Sequence, residues 1–393
     1  MNKSGFRLFL KPLARRVLWA GFSLLFLTPL FGGELRVSSL DLQTRGGWTG
    51  NGLTLKTRGD FSLELEGGYK VFALLRFKLN SDALELTDTS SQAPGVWNLL
   101  KFQYVELGVR EIFNSSFNLG YFVGEGAFLG TGAGFFEELG TPDFSSRFPA
   151  QASPRRDYSG ISQIRGTGFI LSGPGGGESS RLVFATAQDL GAGGQGKFTS
   201  YLRGFWDLDR LRFEVFASAS YPRSTMGIYS GGILFYYRPS PAGEILTMIG
   251  VPRYDPAQPF DLSQLYFLIE PRLKLGNLFF TPTLFLRPGY YYDRITGEGT
   301  PNTDEGEILD INLDLHLGIP ETQPFTAGLA ATISLDPKAG DPGRGDEFFR
   351  LGITPYCALQ TAGLLWDFKL RFGLLKSSAE PFAELAVGVK ARF

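Results

Sequence analysis

The chain's only histidine, His316, lies in the stretch LDINLDLHLGI (309–319), close to Asp310 and Asp314. Histidine and carboxylates are the side chains that general acid–base catalysis uses most often. In an extended strand, Asp314 and His316 share a face but lie about 7 Å apart, given a rise of about 3.3 Å per residue. That distance exceeds a hydrogen bond unless the side chains bend toward each other, and no serine shares this face. We therefore expect the polar face of a strand here, with no catalytic residue, and a protein that is not an enzyme.

The residues that bind metals and nucleotides are also scarce. With one cysteine, Cys357, and one histidine, the chain cannot build a site from several Cys or His ligands. Carboxylate sites for Ca²⁺ or Mg²⁺ remain open, but no EF-hand spacing is present. The glycine-rich stretch GEGAFLGTGAGF (124–135) lacks the Lys-Ser/Thr of a nucleotide loop. We expect neither a metal nor a cofactor.

The composition favours a glycine-rich sheet protein with almost no net charge. The 38 Lys and Arg nearly balance the 39 Asp and Glu, so the chain has no net field to attract nucleic acid, and we expect no nucleic-acid partner. The 51 glycines accompany 36 phenylalanines and 15 tyrosines. Such a mixture is typical of sheets built from many strands and turns.

The first 33 residues have the order of a secretory signal peptide. A positive region, with Arg15 and Arg16 at its end, precedes the apolar run Val17–Phe31 and the small pair Gly32 and Gly33. We expect cleavage near residue 33, and a single domain over residues 34–393 because no low-complexity linker divides it.

Most of the remaining chain has a hydrophobic period of two, which indicates strands. In LRFEVFASASY (211–221), Leu211, Phe213 and Val215 share one face while Arg212 and Glu214 share the other. The same alternation occupies the ranges 264–275, 325–336, 349–360 and 364–374. Strands of about 9–11 residues are long enough to cross a bilayer when tilted. We count about sixteen candidate strands, with a range of 14–18, and expect the prolines Pro271, Pro282 and Pro355 to mark bulges or strand ends.

The last residues, PFAELAVGVKARF (381–393), alternate apolar and polar positions and end in an aromatic residue, Phe393. This ending resembles the closing strand of bacterial outer-membrane β-barrel proteins, without identifying one family among them. The resemblance implies an all-β transmembrane antiparallel β-barrel in the bacterial outer membrane, closed by this strand against the first. It also implies contact with outer-membrane lipid and recognition of the strand ending in Phe393 by the outer-membrane assembly machinery. The oligomeric state stays open.

In such a barrel the polar faces of the strands would line the lumen. These charges of both signs could act as selectivity groups of a water-filled pore, or they could pair across strands and fill a narrow interior. The candidate lumen-lining residues are Arg212, Glu214, Glu270, Arg272, Lys274, Asp310, Asp314, His316, Arg350, Asp367, Lys369 and Arg371.

The longest irregular stretch, about residues 126–166, is longer than most loops, and such loops are commonly functional. One hypothesis is that it folds over or into the lumen and forms a constriction, with arginines facing acidic residues; the alternative is a plain surface loop. The candidate constriction residues are Glu137, Glu138, Arg147, Arg155 and Arg156, with Asp143 as a further acidic partner.

Three functions are compatible with these patterns. The favoured one is a porin-like channel for passive diffusion of small polar solutes or ions. The alternative is a structural or surface-adhesion barrel with a blocked lumen. A weaker alternative is a lipid-modifying barrel enzyme, for which His316 would be the only histidine available.

Overall fold

Eighteen β-strands form one sheet in the part of the chain that the computed structural model describes. The described residues are 34–49, 52–67, 70–80, 100–142, 144–146, 148, 160–177, 179–189, 197–221, 227–288, 308–318, 323–335, 349–361, 363–375 and 382–392. The predicted signal peptide and Phe393 lie outside them. The strands are β1 (Glu34–Thr49), β2 (Gly52–Gly67), β3 (Val71–Asn80), β4 (Leu100–Val109), β5 (Asn118–Leu129), β6 (Ser162–Pro174), β7 (Ser180–Asp189), β8 (Lys197–Leu208), β9 (Leu211–Tyr221), β10 (Ile228–Ser240), β11 (Gly243–Tyr254), β12 (Tyr266–Leu275), β13 (Leu278–Arg287), β14 (Ile308–Leu317), β15 (Phe325–Leu335), β16 (Phe349–Thr361), β17 (Leu364–Leu375) and β18 (Ala383–Arg392).

The sheet closes on itself as an antiparallel barrel. Each strand pairs with its neighbour in sequence, and β18 pairs with β1, with Leu40 opposite Ala391. The predicted barrel and its closure by the last strand are confirmed. The number of strands is 18 rather than about sixteen. Inward positions of several strands carry aromatic side chains, for example Tyr104, Phe122 and Phe205, and these weaken the period-two contrast from which strands are counted.

Alternate residues face the inside and the outside of the barrel. On β8, Arg203 and Phe205 point inward and are 2% and 0% exposed, whereas Phe198 and Leu202 point outward and are 58% and 54% exposed. The outward face is therefore apolar and uncovered, and the inward face is buried. Within the described ranges, no helix combines the length and apolar character that crossing a membrane requires.

Outward-facing aromatic rings form two bands. Near one end of the barrel, Trp206 stacks on Phe213 with ring centroids 4.8 Å apart. Near the other end, Phe77 packs edge-on against Phe102, and Tyr221 likewise contacts Tyr229.

The two rims differ in the length of their connections. One rim has tight turns, four of them only two residues long, at 209–210, 241–242, 276–277 and 362–363. The other has the long connections 81–99, 130–161, 288–307 and 336–348, with 50–51 as a short exception. We call these the short-turn rim and the long-loop rim.

The three strand prolines lie within strands, so the expectation of bulges or strand ends is wrong. Pro271 of β12 and Pro282 of β13 face each other where the pairing of these two strands is interrupted, between Ile269 and Leu273. Pro355 of β16 lies at a similar interruption beside β17. Because proline has no N–H to donate, each occupies a place where the ladder on one side is already broken.

The hairpin formed by β5 and β6 leaves the wall halfway along its length. The β4–β5 pairing ends at Gly124 and the β6–β7 pairing begins at Thr167, yet β5 and β6 continue to pair with each other as far as Leu129 and Ser162. The irregular stretch between them is therefore 130–161 rather than 126–166. Its described part, which we call the inner loop, comprises residues 130–142, 144–146, 148 and 160–161.

Candidate functional site

The inner loop lies inside the barrel, anchored on a buried ion pair of the wall. Arg203 of β8 donates from Nε to Oε1 of Glu214 on β9 over 2.7 Å, and the two side chains are 2% and 0% exposed. The backbone N–H of Gly130, the first residue of the inner loop, donates to the same carboxylate oxygen at 2.7 Å. Burying a charge is costly unless it is paired and hydrogen-bonded, so these two contacts to Glu214 Oε1 fix where the loop starts.

A second anchor lies on β12. Arg272 pairs with Glu270 at 2.7 Å and donates to the backbone carbonyls of Phe144 and Ser145 at 3.2 and 3.1 Å. The hydroxyl of Ser146 donates to Oε2 of Glu270 at 2.5 Å. The inner loop therefore reaches from the β5–β6 hairpin across to β12.

Aromatic side chains fill the space between the anchors. Phe135 contacts Phe205 edge-on, Phe144 stacks on Tyr236 of β10 with centroids 4.5 Å apart, and Phe148 packs edge-on against Phe285 of β13. All three loop phenylalanines are buried. This half of the lumen is therefore filled by protein.

The short helix of the inner loop, α1 (Gly134–Leu139), carries the two acidic constriction candidates. Glu137 forms an ion pair with Arg76 of β3 at 2.8 Å, and Glu138 contacts Arg181 of β7 at 3.6 Å. Their described partners are thus residues of the wall. Arg147, Arg155, Arg156 and Asp143 lie outside the described residues, so their predicted pairing with the acidic residues stays a prediction.

The environment of Glu138 is unfavourable for a negative charge. Burial raises the pKa of Glu138 to about 7, because desolvation outweighs the stabilising charges of Arg203 and Arg181. The nearby carboxylates of Glu137 and Glu106 raise this pKa further. Glu138 is therefore a group of the interior that changes charge near neutral pH.

In the opposite wall, β15 to β18, the strands β15 and β18 present mostly small side chains to the interior. The inward residues of β15 are Thr326, Gly328, Ala330, Thr332 and Ser334, none larger than threonine. On β18, Ala386 and Gly388 share the inward face with Glu384 and Lys390.

Charges of both signs stand among these small residues. Lys369 pairs with Asp367 on β17 at 2.8 Å, with the side chains 18% and 20% exposed. Lys390 pairs with Asp41 of β1 at 3.2 Å. Arg371 lies opposite Glu384 in the register, and Arg350 lies on the inward face of β16; both arginines are half-buried.

The stretch that contains His316 is β14, and its polar residues bond to neighbouring strands. Tyr356 of β16 donates its hydroxyl to Asp314 at 2.7 Å, and His316 Nδ1 lies 3.4 Å from the other oxygen of Asp314. The imidazole stacks flat on Phe279, with centroids 5.1 Å apart. Asp310 accepts a hydrogen bond from Ser334. These contacts make a packed, hydrogen-bonded wall around His316.

The remaining candidates also face inward, and each has a contact. Arg212 pairs with Asp207 at 3.1 Å and donates to the carbonyl of Pro142 in the inner loop at 3.1 Å. Lys274 lies 5.6 Å from the centre of the Phe279 ring.

The sequence analysis missed three arginine anchors: Arg76, Arg181 and Arg203. Arg203 is flanked on the inward face of β8 by Tyr201 and Phe205, and Arg181 is followed on the inward face of β7 by Val183 and Ala185. An arginine next to apolar residues of the same face is the signal that could have found these two.

Comparisons with solved structures support the same architecture. OpdL of Pseudomonas aeruginosa superimposes with a TM-score of 0.55 at 10% identity, covering 92% of this chain and 98% of that one. OccAB2 of Acinetobacter baumannii gives 0.54 at 12% identity, covering 92% and 98%. Wzi of Escherichia coli, described as a carbohydrate-binding β-barrel involved in capsule assembly, gives 0.51 at 12% identity, covering 93% and 86%.

Neither a protein-family model nor a curated protein sequence matches the chain. At such low identities the structural similarity concerns the fold. The chain has the fold of the large antiparallel β-barrels found among bacterial outer-membrane proteins, porins included.

Proposed function

We propose that this protein is an outer-membrane channel of the porin type, for passive diffusion of small polar solutes or ions. The observation that carries the proposal is the asymmetry of the interior. The inner loop contacts the wall from β3 to β13, whereas β15 and β18 present small residues and β17 presents partly exposed charges. Solutes would pass between the inner loop and this second wall.

The outer surface supports a membrane location. The exposed apolar face and the two aromatic bands are the features that transmembrane barrels present to lipid and to the two interfaces. Closure of the sheet also satisfies the backbone N–H and C=O groups, which cost several kcal/mol each when left unpaired in hydrocarbon. By analogy with such barrels, the short-turn rim would face the periplasm.

Selectivity would arise from the lining charges, without a covalent step. Lys369, Asp367 and Arg371 lie on one strand and provide both signs. A path lined in this way imposes a transverse field on polar solutes and a weak preference among ions.

The test is the conductance of the refolded chain in a planar bilayer, with and without residues 141–158. Removal of these residues deletes the loop phenylalanines Phe144 and Phe148, so single-channel conductance should rise. Removal of 289–306, an equally long piece of another long connection, is the matched control and should leave the conductance closer to that of the full chain. Absence of channel steps in both the full chain and the 141–158 deletion would contradict the proposal.

A barrel with a blocked lumen is the second candidate, and the buried contacts of the inner loop favour it. The 0–2% exposure of the Arg203–Glu214 pair and the buried phenylalanines describe a sealed half of the interior. If the full chain is silent in the bilayer while the deletion variant conducts, the inner loop is a plug, and the second candidate is correct.

A further inference from the structure

A cavity of about 730 Å³ lies near the short-turn rim, between α1 and the turn that joins β6 to β7. Its polar lining consists of Glu138 on α1, Arg181 on β7, and the hydroxyl residues Ser116 and Ser180. Pockets of about 300–1,000 Å³ are the usual size for small organic ligands. The cavity is therefore large enough to hold a sugar-sized molecule.

Arg181 retains hydrogen-bonding capacity inside this cavity. One terminal nitrogen donates to Ser172 at 3.4 Å. Its Nε is buried and has no hydrogen-bond partner among the described residues, since the Oε2 of Glu138 lies 3.6 Å away, beyond a hydrogen bond. The Arg181 side chain as a whole is 22% exposed, so the accessible part of its guanidinium can donate to a ligand oxygen in the cavity.

The charges of the cavity discriminate between kinds of ligand. Arg181 and Glu138 lie 3.6 Å apart with opposite charges, so the cavity has no net charge to compensate an anion or a cation for its lost hydration. Hydroxyl groups can donate to Glu138 and accept from Arg181 and the serines. Leu139 and Pro174, which also line the cavity, offer apolar contact to C–H groups.

We infer that this cavity is a binding subsite for a neutral polyhydroxyl solute, of the size of a mono- or disaccharide, at the short-turn mouth of the barrel. The inference concerns binding in this cavity, on the side of the barrel that the inner loop occupies, and it does not require an open channel.

The experiment compares three pyranoses that differ at C6: glucose, glucuronate and 6-amino-6-deoxyglucose, which at pH 8 are neutral, anionic and mainly cationic. Their binding to the refolded full chain in detergent is measured by saturation-transfer NMR at pH 8. Glucose should bind more strongly than both charged analogues. Arg181→Met should weaken glucose binding roughly tenfold, as expected for loss of a charge-assisted hydrogen bond. The matched control is Arg210→Met, at an exposed arginine of the same rim.

A second variant tests the cavity without disturbing the ion pair. Ser116→Trp places a large ring into the cavity from the turn between β4 and β5, and it should abolish glucose binding while the barrel stays folded, as judged by heat-dependent electrophoretic mobility. Equal binding of the three solutes, or glucose binding unchanged in both variants, would overturn the inference. Absence of glucose binding with normal conductance overturns the subsite alone, whereas glucose binding without conductance overturns the proposed channel and leaves the subsite.

Discussion

Gly124 of β5 and Gly166 of β6 lie directly opposite each other across the hairpin ladder, with φ angles of 113° and 114°. At each position a Cβ atom would meet a backbone carbonyl of the adjacent strand, Gln103 for Gly124 and Gln188 for Gly166. Beyond this glycine pair the hairpin separates from β4 and β7. The two glycines therefore form the bend through which the inner loop enters the barrel.

Gly166→Ala should destabilise the bent backbone conformation of the β5–β6 hairpin. A side chain in the left-handed region costs about 1–2 kcal/mol, and the carbonyl of Gln188 leaves no room for it. We expect a less stable inner loop and a higher or noisier single-channel conductance. Gly243→Ala, at a turn glycine with no atom closer than 3.9 Å to the added Cβ, is the control. Identical conductance in the two variants would show that the bend does not depend on Gly166.

The contributions of Arg203 and Glu214 to the free energy of unfolding should be strongly coupled. Removal of one partner leaves a buried charge uncompensated, for which about 3–5 kcal/mol is typical, so Arg203→Met and Glu214→Gln should each lower the free energy of unfolding by an amount of that order. The double variant should lose less free energy of unfolding than the two single variants together. The exposed Arg210–Asp209 contact is the matched control and should show little coupling. Additive losses at the buried pair in urea unfolding would contradict this prediction.

The stability of the barrel should depend on the protonation of Glu138. Its pKa rises from 4.5 to about 7 on folding, so the folded state holds the proton more tightly than the unfolded state. The corresponding stability is fully present below about pH 4.5 and is lost as the pH rises through about 7, by an amount on the order of 3 kcal/mol at most. Glu138→Gln should reduce the loss of stability between pH 5 and pH 8. An unchanged pH profile in this variant would refute the assignment.

Two neighbouring charges of β17 should set ion preference in opposite directions. Lys369→Gln removes a positive charge from the inward face and should shift the reversal potential toward cation selectivity, while Asp367→Asn should shift it toward anions. Arg210→Gln, in the exposed turn between β8 and β9, should leave the reversal potential nearly unchanged. Equal reversal potentials of all three variants in a salt gradient would show that β17 does not line the path of the ions.

The contacts of β14 predict a structural role for its histidine. Tyr356→Phe deprives the buried Asp314 of a hydrogen bond at 2.7 Å, and it should lower the free energy of unfolding by about 1–3 kcal/mol. His316→Phe keeps a ring stacked on Phe279 and should change stability less. The reverse order of the two effects would show that His316, rather than Tyr356, carries the interaction with Asp314.

The alternation of apolar and polar residues predicted the architecture because it is a local property. In β9, Val215 and Glu214 are adjacent residues with opposite faces, and any strand with that pattern must bury one face and expose the other. The same alternation placed His316 on the polar face of a strand, which predicted a wall residue rather than a catalytic one. Closure of the barrel by the last strand was implied by the resemblance of residues 381–393 to the closing strand of outer-membrane barrels.

By itself, then, the sequence determined the kind of protein: an amphipathic, antiparallel barrel with charges on the inward face. Only the tertiary structure decided that there are 18 strands, that the hairpin bends inward at Gly124 and Gly166, and that Glu137 pairs with Arg76, 61 residues away. The physical reason is that face alternation depends on neighbouring residues. Partners across the lumen depend instead on barrel closure, which brings distant strands to a common interior.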